Sequence, residues 1–152
     1  VGTFALIFIF WAAHMAIMRR LKVFDWPTVW ANGFFLLTIA VMPFASALLG
    51  DMNVFTQAWQ VYCAELIAAG IAQAILVLVV MRGGGKLMGG ITTRERIWRF
   101  SRALTPGIAF AAGLALSLNG ETRLATICWV LIPVLLMLSG ALFGPRKRRA
   151  GR

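Results

Sequence analysis

Acidic residues are scarce in this chain: five Asp and Glu stand against fifteen Lys and Arg, and histidine occurs once, at position 14. So few groups assemble no carboxylate dyad, nucleophile–base pair or His/Cys cluster, which argues against an enzyme and against a metal centre. The two cysteines, Cys63 and Cys128, lie inside apolar runs and in no Cys-x-x-Cys pattern, and read as small packing residues. Alternation of period two is also missing, which argues against a β-barrel.

What the chain does have is apolar length. Of its 152 residues 61% are hydrophobic and 13% charged, with a mean hydropathy of +0.84, outside the range of soluble domains. The sequence therefore predicts an integral membrane protein in contact with a lipid bilayer, all-α and polytopic, since roughly 20 helical residues cross the hydrocarbon core. Five spans are expected, at about 1–18, 28–49, 54–81, 103–118 and 122–143, with a flexible cytoplasmic connector at 82–92 and a basic tail at 144–152.

The breaks carry recognisable punctuation. Asp25-Trp26-Pro27 opens a helix with an acceptor side chain and an early proline. Thr92 to Glu95 has the Thr-x-x-Glu spacing of a capping box, and Asn119-Gly120 turns the chain. Trp59 and Tyr62 are expected to mark an outer membrane interface. The fragment GGGK at 83–86 lacks the Ser or Thr and the preceding strand of a phosphate loop.

The net charge of +10 does not imply nucleic acid, because the basic residues sit between apolar spans and not on a soluble face. On the five-span reading fourteen of the fifteen fall on one side and only Arg123 on the other, which predicts a cytoplasmic C-terminus. Val1 then lies outside, within an apolar run, so a preceding span is expected, six in all with both ends cytoplasmic.

The stretch from Trp11 to Pro43 carries Trp11-x-x-His14, Leu21-x-x-x-Asp25, Asn32 within DWPTVWAN, and FFLL before Pro43-Phe44 and Leu48-Leu49-Gly50. It resembles the second and third helices of the transmembrane protein 175 family, potassium channels of lysosomes and of prokaryotic membranes. The resemblance implies a six-helix unit that assembles as a homotetramer in a prokaryotic cell membrane, with potassium as the permeant ion and no cofactor. The family's first, pore-lining helix, with its Arg-x-x-x-Phe-Ser-Asp motif, has no counterpart here. Trp11, His14 and Asn32 are by that resemblance packing and hydrogen-bond partners of the missing helix.

Three further residues are candidates. Asp25 belongs to the resembling pattern, and Pro43 is expected to kink its span for packing. Glu65 is the acidic residue well inside a span, which makes it the coupling carboxylate of an alternative reading, a small multi-span carrier or exporter. Ala109, Gly113 and Ser117, and Ala64, Ala68 and Ala72, form small-residue rows suited to close helix contact.

Overall fold

A computed structural model describes residues 2–51, 56–120 and 127. It is an all-α membrane helix bundle: α1 (Gly2–Met18), α2 (Trp26–Asp51), α3 (Thr56–Gly85) and α4 (Thr93–Leu118), with the 3-10 turn Lys86–Met88 between the last two. Helices α2, α3 and α4 are long and apolar enough to cross a membrane, and α1 is a shorter apolar helix of 17 residues. The expected fifth span and the basic tail lie outside the described residues.

Helix α3 is the centre. Leu66, Ala69, Ala72 and Leu76 are completely buried, with α2 on one flank and α4 on the other. Helices α3 and α4 meet where two glycines face each other, and a Cβ added to Gly70 would stand 2.9 Å from Gly107 Cα. This crossing is not centred on the small rows read from the sequence. Ala109, Gly113 and Ser117 are buried, but of the α3 row only Ala72 is, while Ala64 is exposed. Helix α1 joins the bundle through large side chains, Leu6, Phe10 and Ile17.

Helix starts follow from local chemistry. Asp25 accepts the Thr28 N–H (3.1 Å) and hydroxyl (2.6 Å), so the orphan donors of the first turn of α2 are served by a side chain. Thr92 does the same for α4, accepting from Glu95 N at 3.3 Å, but the box is half made, because the Glu95 carboxylate turns to Arg20 and Arg99. α2 continues through Pro43, whose ring is exposed on the outside of the bundle, and α4 continues through the buried Pro106.

The stretch 82–92, expected as a flexible connector, instead continues α3 to Gly85 and then makes the 3-10 turn. Gly85 and Gly89 bound that turn at φ +77° and +78°, a left-handed conformation that costs a side-chain residue far more than glycine. The segment is docked, since Lys22 N–H donates to Leu87 O at 2.8 Å. Arg20 with Glu95 and Arg82 with Asp25 form ion pairs between the same two connections. The α1–α2 and α3–α4 connections therefore share one end of the bundle, the end that carries the basic residues.

Candidate functional site

His14 lies one turn before the end of α1, and Asn32 sits in the second turn of α2. Their side chains meet: His14 Nε2 donates to Asn32 Oδ1 at 2.6 Å, and the imidazole stacks on Phe35 with ring centroids 5.1 Å apart and planes 13° from parallel. A polar side chain left alone in hydrocarbon costs a few kcal/mol, so each residue answers the other's need. Neither makes a further side-chain hydrogen bond among the described residues, although an amide and an imidazole together hold more capacity than one bond uses. His14 and Phe35 line an apolar groove of about 370 Å³ between α1 and α2, with Phe4, Phe8 and Trp11 on one wall and Leu36 and Ile39 on the other.

The structure does not bring Trp11 into this pair. Its ring is 54% exposed and touches Phe8, 5.8 Å away at a tilt of 31°. It shares a helix face with His14 but presents an apolar surface and no hydrogen bond to it. Asp25 is elsewhere, at the basic end, where its bond from the Thr28 hydroxyl does most to hold the carboxyl below the usual carboxylate range. Partial burial pushes the other way, while the Thr28 N–H and the Arg82 guanidinium add to the lowering, so Asp25 stays charged at neutral pH and pins α3 to the turn before α2.

Sequence reasoning passed over a second polar joint near the opposite end of the bundle. Thr3 Oγ1 is 2.8 Å from Ser46 Oγ and 3.0 Å from Tyr62 OH, which ties α1, α2 and α3 together. Tyr62 is fully buried and is no interface marker, because its hydroxyl is met inside the bundle by Thr3 of α1. Nothing local in the sequence signals this, since the partners are 43 and 59 residues apart. One turn along α3, Glu65 is half-buried, and its Oε1 is enclosed with no hydrogen-bond partner among the described residues.

The family model of the endosomal/lysosomal potassium channel TMEM175 matches residues 1–43, from the start of α1 through the basic turn to Pro43 of α2. The match agrees with the resemblance read from Trp11 to Pro43 and contains the whole His14–Asn32 pair. It covers less than a third of the chain. Comparison with curated proteins gives no match, and comparison with solved structures gives none either. The matched family is one of ion channels, not enzymes.

Proposed function

We propose that the chain is a subunit of a potassium channel, passing potassium passively through an oligomeric pore whose lining helix is not among these 152 residues. The observation that carries this reading is the His14–Asn32 pair, whose imidazole lines an open apolar groove, inside the segment that the channel family matches. A helix bearing the family's Arg-x-x-x-Phe-Ser-Asp motif would cover the aromatic wall of that groove and use the spare hydrogen-bonding capacity of the pair. By the same resemblance the assembly is a homotetramer of a prokaryotic membrane.

The competing reading, a proton-coupled carrier, has one observation in its favour, the enclosed and unpartnered Oε1 of Glu65. Potassium efflux from liposomes containing the full-length protein separates the two. A channel gives flux that follows the potassium gradient and survives Glu65→Gln nearly unchanged, since no proton needs to be carried. Flux lost in Glu65→Gln together with its proton coupling would replace the channel by the carrier.

The orientation proposed for this channel has the basic end in the cytoplasm, because the two connections with the most Lys and Arg lie together there. A reporter fused after Arg152 is then expected to be cytoplasmic, and one inserted at Gly120 external. Both reporting from one side would break the five-span reading.

A further inference from the structure

A cavity of about 410 Å³ lies between α1, α3 and α4, toward the basic end of the bundle. Helix α1 presents Ala12, Ala13 and Ala16 there, too small to fill the space before Val77 of α3 and Pro106 of α4. The rest of the lining is not all apolar. Gln73 of α3 and Trp98, Arg99 and Arg102 of α4 bring an amide, an indole N–H and two guanidinium groups to it.

The two charged groups are already provided for. Arg99 pairs with Glu95 at 2.9 Å, and Arg102 is engaged within the chain besides lying 5.4 Å from the centroid of the Trp98 ring. The two uncharged donors are not. Trp98 Nε1 is enclosed without a hydrogen-bond partner among the described residues. Gln73 is only 2% exposed, and its Nε2 donates to Phe10 O at 3.5 Å, the outer limit of a hydrogen bond, which leaves most of the amide's capacity unused. Their spacing follows from the helix crossing. Gly70 faces Gly107, Gln73 lies three residues along α3 from that level and Trp98 nine back along α4, so at 1.5 Å per residue the donors stand about 9 Å apart along the bundle.

We propose that this cavity binds an uncharged membrane lipid bearing carbonyl oxygens, one accepting from Trp98 Nε1 and another from the Gln73 amide, with its hydrocarbon along the alanine face of α1. A carbonyl supplies what the wall lacks, an acceptor that brings no donor of its own to be satisfied. Two carbonyls set apart on an apolar frame match two donors at different heights. The lipid is uncharged because Arg99 already has its carboxylate and Arg102 its own contacts, so an anion would have to displace them or lie unpaired against apolar side chains, where a buried charge is costly. A wholly apolar guest would leave both donors unmet. The inference does not rest on the channel reading, since neither Gln73 nor Trp98 belongs to the His14 groove.

The test is native mass spectrometry of the full-length protein extracted from phosphatidylcholine vesicles that hold equal amounts of decylubiquinone, dioleoylglycerol and phosphatidylglycerol. The wild type is expected to retain decylubiquinone or dioleoylglycerol ahead of phosphatidylglycerol, and whichever is retained identifies the source of the carbonyls. Trp98→Phe keeps a ring and removes the N–H, and Gln73→Leu keeps the bulk and removes the amide. Each should lower that retention about three- to tenfold, the scale of one neutral hydrogen bond. Gln73→Leu should unfold no more readily than the wild type, since an apolar side chain of similar shape replaces an under-used amide, so its loss of lipid is not a loss of fold. Ala13→Phe, which fills the cavity, should abolish retention, while Arg94→Gln, exposed and outside the lining, should leave it unchanged. Preferential retention of phosphatidylglycerol would assign the wall to an anion and overturn the proposal. Undiminished retention in both Trp98→Phe and Gln73→Leu, or a wild type that keeps no lipid beyond its share of the vesicle, would overturn it as well, even if Ala13→Phe failed to assemble.

Discussion

Gly70→Ala should destabilise the bundle by about 1–3 kcal/mol, the usual cost of overpacking, whereas Gly107→Ala should cost little or even stabilise it. The two glycines face each other across the α3–α4 crossing, yet their surroundings are unequal. A Cβ on Gly70 would stand 2.9 Å from Gly107 Cα and 3.1 Å from Gly107 N, and both are backbone atoms that no rotamer change can move away. A Cβ on Gly107 would find Gly70 Cα at 3.6 Å and the Ile67 carbonyl oxygen at 3.9 Å, which is ordinary contact. Replacing a helical glycine by alanine gains up to about 1 kcal/mol of backbone entropy and propensity, and only at Gly107 is that gain unopposed by a clash. Unfolding of the purified protein in mixed micelles by added denaturing detergent would report both. Equal effects at the two positions would mean that the helices do not cross where these glycines meet.

That crossing shows what a sequence can and cannot locate. Small residues at four-residue spacing identify a face that permits close approach, and Ala109, Gly113 and Ser117 are indeed buried on α4. Which small residue is at the contact depends on the angle between the helices and on the partner's row, and neither is written in one segment. Helix starts are different, because a cap is a bond between residues three apart. Asp25 with Thr28, and Thr92 with Glu95, were therefore legible. The buried Tyr62 was not, since an aromatic with a hydroxyl near a span end reads equally as an interface anchor or as an interior group with distant partners. Glu95 was legible as a cap residue only in part: its spacing was right, but Arg20, 75 residues away, draws off its carboxylate.

The same limit applies to the His14 groove. His14 and Asn32 stood out because polar groups in apolar helices demand partners, and the resemblance assigned both to a helix beyond this chain. The structure instead has them bonded to each other at 2.6 Å, across the turn that holds Arg19, Arg20 and Lys22. A mutual bond does not remove the earlier reading but changes its form. A pair already oriented by Phe35 can offer its remaining donor and acceptor positions as a unit, so a third group would meet a preformed site and not two mobile side chains.

His14→Ala is accordingly expected to act beyond the loss of one side chain. It leaves the Asn32 amide without its partner in a part-buried position, a penalty of about 1–3 kcal/mol in general, although couplings measured between polar groups in membrane helices average nearer 0.6 kcal/mol. Outright unfolding is therefore not expected, and the informative quantity is the coupling. In a double-mutant cycle with Asn32→Ala, the two single losses should exceed the double loss, because either change alone already breaks the bond. Trp11→Leu, which removes an exposed ring without touching the pair, should add independently, and Met18→Leu on the same face should do little. If the pair also holds a pore-lining helix, His14→Ala will in addition change potassium flux or weaken assembly in liposomes, with Met18→Leu as the control for volume and insertion. Strict additivity of His14→Ala and Asn32→Ala would show that the bond contributes nothing to the fold. Coupling without any change in flux or assembly would confine the pair to joining α1 to α2 and remove it from the proposed conducting machinery.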